Sequence, residues 1–125
     1  MAITYHIDAQ HGIIRSRFEG EITLDQVKEH SLRLRREAAF HPGLKELAEV
    51  ADIHTQLSAR EMLALTAWLR TLEPFNAIAV VCGDDLSFGM ARMFATMMSE
   101  SCLRVEAFRD REVALRWLDE PAPTD

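Results

Sequence analysis

The chain predicts an α/β fold: a mixed, mostly parallel five-stranded sheet with four helices, in the order ββαβαβαβα. Three observations carry this. Residues 77–82 (Ala-Ile-Ala-Val-Val-Cys) are short, almost wholly apolar and rich in β-branched side chains, the pattern of a central strand covered on both faces. Two capping boxes, Thr23-Leu-Asp-Gln26 and Ser58-Ala-Arg-Glu61, each open a helical stretch. From residue 44 onward, strand-like and helix-like stretches alternate, which implies parallel pairing through right-handed crossovers.

The elements follow in order. Residues 3–8 alternate, with Ile3, Tyr5 and Ile7 on one face and Thr4, His6 and Asp8 on the other. Gln10-His11-Gly12 supplies a turn into a second strand over 13–19, where Ile14, Ser16 and Phe18 oppose Ile13, Arg15 and Arg17. The two read as an antiparallel hairpin. The first helix puts Leu24, Val27, Ser31, Leu34 and Ala38 on one face and stops near Phe40-His41-Pro42-Gly43. Its outer side carries Lys28, Arg33, Arg35 and Arg36, the densest basic cluster in the chain.

Residues 44–53 read as a third strand with Glu49 set awkwardly among apolar neighbours; a partner such as Arg15 or Arg17 on the adjoining strand would satisfy it. The helix opened by Ser58 runs through Met62, Leu65, Trp68, Leu69 and Leu72 to Glu73-Pro74. After the central strand, Gly83-Asp84-Asp85 leads into a helix whose polar positions Arg92, Thr96 and Ser99 form one narrow stripe. Met90, Ala91, Met93, Phe94, Ala95, Met97 and Met98 wrap the rest. Residues 103–108 give a fifth strand, and Asp110 caps a last helix with Val113, Ala114, Trp117 and Leu118 on its apolar face. One domain over 1–120 and a short tail over 121–125 account for the chain.

The totals bound the function. A chain of 125 residues buries roughly 65–70% of its unfolded surface, enough for a core without disulfides or metal. A net charge of −6 argues against nucleic acid as a partner. The N-terminus lacks a charged start followed by an apolar core, and no apolar run approaches the ~20 residues of a membrane span. Cys82 and Cys102 fall at opposite edges of the expected sheet and read as free thiols of a cytoplasmic protein. His6, His11, His30, His41 and His54 are scattered without metal-ligand spacing, and no nucleophile elbow frames a serine. The turn at Gly83 has one glycine and two carboxylates where a phosphate cradle needs several glycines and no competing anion; the aspartates read as helix caps. The sequence therefore points to a non-enzymatic protein with no cofactor and no metal.

The order of elements, together with three stretches, resembles the STAS fold (sulfate transporter and anti-anti-sigma factor domains), and within it the SpoIIAA-like branch of small bacterial proteins. The stretches are the acidic strand over 45–53, Phe-Gly-Met-Ala-Arg-Met-Phe over 88–94, and Phe-Arg-Asp-Arg-Glu-Val-Ala-Leu-Arg-Trp-Leu over 108–118. The resemblance implies either a partner-binding role of the anti-anti-sigma type or, through the related lipid-carrier (CRAL-TRIO) architecture, binding of an apolar ligand or a membrane surface. It also implies a phosphorylated serine at Ser58, although the Asp-Ser-Ser-Gly setting of that serine is replaced here by Leu57-Ser58-Ala59-Arg60. Ser58 is also fully explained as the N-cap of its box with Glu61, the reading the sequence favours.

The helix after the central strand is the other candidate site. Methionine is flexible and polarisable and recurs on surfaces that accept apolar partners. Phe88, Gly89, Met90, Arg92, Met93, Phe94 and Met97 are therefore the expected wall of an apolar pocket, a homodimer interface or a core contact. Gly89, unfavourable in a helix by about 1 kcal/mol, implies close approach by a backbone or ligand; Arg92 is placed for a headgroup or a surface ion pair. The expected partners are a protein, a second copy of the chain or a lipid-like molecule, with membrane contact through Arg33, Arg35 and Arg36 as a further option.

Overall fold

The computed structural model describes residues 2–55, 57–101 and 103–120, the side chains of Asp52, His54 and Thr55 excepted. Cys102 and the tail over 121–125 lie outside the described residues. The elements are β1 (Ile3–Asp8), β2 (Ile13–Glu21), α1 (Leu24–Arg36), β3 (Lys45–Thr55), α2 (Ala59–Leu69), β4 (Ala77–Cys82), α3 (Asp85–Met97), β5 (Arg104–Phe108) and α4 (Arg111–Asp119). The sheet runs β1-β2-β3-β4-β5, antiparallel between β1 and β2 and parallel thereafter. This is the expected order.

The period of two along each strand sorts side chains between the faces. On one, Ser16 and Phe18 of β2 stand beside Ala48 and Val50 of β3, which stand beside Val80 and Cys82 of β4. Helices α1, α2 and α3 cover this face. Leu34 of α1 packs with Ile14 and Leu44, while Met62, Leu65 and Leu69 of α2 pack with Ala48, Ile78, Met98 and Leu103. Among the described residues the other face is covered by α4, whose Ala114 and Leu118 bury Leu47, Ala77 and Ala79. That is why β4 is apolar at successive positions: it has helices on both sides.

Both capping boxes form in full, at Thr23 with Gln26 and at Ser58 with Glu61. At the end of β2, Gly20 adopts φ 75°, a left-handed conformation that glycine tolerates best, and the β2–β3 register shifts there. The bend carries the chain to Ile22, which is buried.

Two sequence expectations are corrected. α1 ends at Arg36, where Glu37 turns extended, so Ala38 lies beyond the helix and is exposed. Of the basic residues read onto the outer side of α1, Arg35 is turned inward. Its Nε and Nη1 donate to the carbonyls of Glu73 and Ser31, and its guanidinium lies over the Phe40 and Phe75 rings. Lys28 is also half-buried, its ammonium over the Trp68 ring. Glu49, set among apolar neighbours, has an ion-pair partner at Arg111 Nε, 3.6 Å away at the start of α4. The strand is satisfied by the helix that crosses it.

Candidate functional site

A cavity of about 160 Å³ lies between the sheet and helices α1, α2 and α3. Its floor is the covered face of the sheet, with Ala48, Val50, Ile78, Val80 and Cys82. α1 contributes Val27, His30, Ser31, Leu34 and Arg35, α2 contributes Met62, Leu65 and Leu69, and α3 contributes Ser87, Met90, Ala91 and Phe94. Of the half-buried lining residues, Phe18, Val50 and Ile53 lie toward the carboxyl ends of β2 and β3, Leu57 just before α2, and Met90 and Phe94 along α3. Ligands of open α/β sheets enter from this edge.

One end of this apolar space is polar. Glu46 of β3, His30 of α1 and Ser16 of β2 are each more than nine-tenths buried. His30 Nε2 donates to Glu46 Oε2 over 2.8 Å, and the Ser16 hydroxyl donates to the same carboxylate oxygen. The His30 ring is held edge-on between Tyr5 and Phe18, with centroids at 5.5 and 5.4 Å. Because serine and histidine converge on one acceptor, and Ser16 Oγ is 3.4 Å from Nε2, the cluster is no relay from carboxylate through imidazole to hydroxyl. It is a hydrogen-bonded knot that the burial of three polar side chains requires.

Sequence reasoning singled out Glu49, whereas the buried acid is Glu46. The signal was present: Glu46 alternates with Leu44, Ala48 and Val50, and His30 falls on the stripe of Val27, Ser31 and Leu34. Both strand faces carry an acid, at Glu46 and Glu49, and only the packing of α1 decides which one is enclosed.

The residues singled out on α3 divide by face. Met90 and Phe94 line the cavity. Met93 and Met97 pack against the core around α2 without lining it, and Thr66 hydroxyl donates to the Met97 sulfur at 3.8 Å. Phe88 sits between two guanidiniums, Arg92 at 5.9 Å and Arg109 at 5.6 Å from its ring centroid. Arg92 itself is exposed. Gly89 is also exposed, and a Cβ built there meets nothing within 4 Å, so the close approach expected from its place in a helix is not found. Its spacing from Arg92 and Thr96 explains this, since all three lie on the outward stripe.

The remaining candidates each have a local structural partner. Ser58 is exposed, and its Oγ accepts the Glu61 N–H at 3.1 Å. Asp84 caps α3, accepting the Ser87 N–H at 2.8 Å and its hydroxyl at 3.0 Å; these bonds hold its carboxyl below the usual range. Asp85 is paired with Arg109 at 2.6 Å. Cys82 is buried in the cavity floor, and burial pushes its thiol up to about 11. Among the described residues no group of His, Cys, Asp or Glu could hold a metal ion, and no helix is long and apolar enough to cross a membrane.

A sequence model described as SpoIIAA-like matches residues 13–119. A solved structure from Shewanella loihica PV-4, described as an uncharacterised protein of the DUF3478 family with a SpoIIAA-like fold, is similar over 94% of each chain. Its TM-score is 0.62 and its identity 17%, a likeness of fold. No curated protein matches the chain.

Proposed function

The chain belongs to the SpoIIAA-like family, and we propose that it is a non-enzymatic binding module whose ligand is a small apolar molecule held between the sheet and helices α1, α2 and α3. The cavity carries this reading. Protein interiors are packed to crystal density, and voids much larger than a water are few. A space of about 160 Å³ walled by Val, Ile, Leu, Met and Phe is therefore unusual. An apolar void of ~150 Å³ stays dry and takes up a benzene-sized guest. Among the described residues around it, Ser16 and His30 are both spent on Glu46, the Ser87 hydroxyl donates to Asp84, and the Cys82 thiol is held protonated.

The test is native mass spectrometry of the freshly purified chain, then organic extraction and calorimetric titration with toluene. An apolar molecule in the extract, or saturable toluene binding lost in Ala48→Leu, is the expected result. Ala48 is 3% exposed and lines the cavity, so the longer side chain fills the space. A protein that carries nothing and takes up no toluene overturns the reading. If it is also a dimer, the half-buried Met93 and Met97 become the place to look for a subunit interface.

One observation favours a second reading, a phosphorylation-switched partner binder. Ser58 is exposed at the first turn of α2, and its neighbour Leu57 lines the cavity. A phosphate there would sit on free helix N–H groups and add about two negative charges beside the mouth. Incubation with cell extract and ATP, followed by phosphopeptide mapping, decides it; an unmodified Ser58 removes the switch.

A further inference from the structure

The polar end of the cavity says what kind of apolar molecule fits. We propose that Glu46, with His30 and Ser16 behind it, binds a hydroxyl group, so that the ligand is a ring-sized alcohol or phenol and neither a hydrocarbon nor a carboxylic acid. This rests on the cavity being a ligand site.

The argument starts from the hydrogen bonds of Glu46. Its Oε2 accepts from both His30 and Ser16, whereas Oε1 accepts from none of the described residues. Among the described residues, Arg104 Nε is the sealed side-chain polar atom that lacks a partner. Glu46 Oε1 also lacks one but is not sealed. Glu46 is 4% exposed and lines the cavity, so the space its free oxygen meets is the cavity itself. A carboxylate oxygen facing an apolar void without a donor is unfavourable, and an occupant that supplies one relieves it.

The chemistry of that donor is constrained from both sides. A carboxylate can only accept, so a ligand carboxylate or a bare hydrocarbon leaves Oε1 as it is, and the former adds a second anion against it. An ammonium would donate, but Arg35 already brings a guanidinium to the same wall, where it interacts with Glu46. A second cation in so apolar a space is disfavoured. A neutral hydroxyl meets both conditions. It donates to Oε1 while its ring occupies the volume between Ala48, Ile78, Met90 and Phe94. A few directed polar groups in an otherwise apolar pocket are the usual means of orienting a ligand.

The test compares toluene, phenol, benzoate and benzylamine, close in shape and different in the polar group, by calorimetric titration of the full chain. Methyl NMR of Met90 and Met62, which line the cavity, reports where each binds. On the unmodified chain phenol is expected to bind about tenfold more tightly than toluene, with benzoate and benzylamine weaker than either. Glu46→Leu is expected to bring phenol down to the toluene level while toluene binding persists, which also shows that the variant folds. Equal affinity for phenol and toluene, or tighter binding of benzoate or benzylamine, overturns the hydroxyl assignment and leaves the cavity reading in place. Failure of every probe to bind the unmodified chain overturns both.

Discussion

His30 and Glu46 are expected to be energetically coupled, and the coupling is measurable without any ligand. Both are more than nine-tenths buried and share one hydrogen bond of 2.8 Å. Removing one member of a buried pair costs about 3–5 kcal/mol, because the other stays buried without its partner. In His30→Leu the Glu46 carboxylate keeps the Ser16 hydroxyl, which places the cost near about 3 kcal/mol. In Glu46→Met the orphan is the His30 ring, which keeps Ser16 nearby, for a cost of about 2 kcal/mol. The double variant replaces both by apolar groups of similar volume and loses about 2 kcal/mol or less. The singles therefore sum to well above the double, and the coupling is about 3 kcal/mol, the upper end for residues in contact. Urea unfolding followed by circular dichroism gives the four free energies, with a common slope confirming that all variants unfold from comparable states. At about 4 °C per kcal/mol for a domain of this size, His30→Leu lowers the Tm by about 12 °C. Singles that add to the double within about 0.5 kcal/mol would refute the knot as a cooperative unit.

Other expectations follow from the same geometry. Gly89→Ala is expected to stabilise the chain by about 1 kcal/mol, since the position is helical and a Cβ there meets open space; a lowered urea midpoint would restore the close-approach reading. Ser58→Ala is expected to cost about 1 kcal/mol through loss of the α2 cap and Ser58→Asp much less, as read from thermal melts. Asp84 titrates below the ordinary range because Ser87 donates to it twice. Its contribution is therefore whole above the unfolded value of about 3.9 and is lost as the pH falls through the lower folded value. Asp84→Asn should flatten that part of the acid unfolding profile. With Cys102 replaced by serine, Cys82 is expected to resist thiol reagents at pH ~8 until denaturant is added, since only the thiolate reacts and burial keeps the thiol protonated.

The architecture was legible in the residues because it depends on local patterns. The alternation in β1 and β2, the all-apolar β4, two capping boxes and the aspartates before α3 and α4 all act over a few residues, and all form as read. The site was legible only in part. Met90 and Phe94 lie on the cavity wall and Gly89 and Arg92 do not, a division that helical spacing from Thr96 foreshadows. What tertiary structure alone decided is which polar residues are enclosed. Ser16, His30 and Glu46 stand on three separate elements, up to 30 residues apart, and none is unusual in its own neighbourhood. They meet because β2 pairs with β3 in a register that sets Ile14 beside Glu46, and because α1 lies across that face. The same packing turns Arg35 inward and hands Glu49 to Arg111 from the opposite layer. Periodicity states which face a side chain takes; it does not state what covers that face, and the energy of a buried charge depends on the cover.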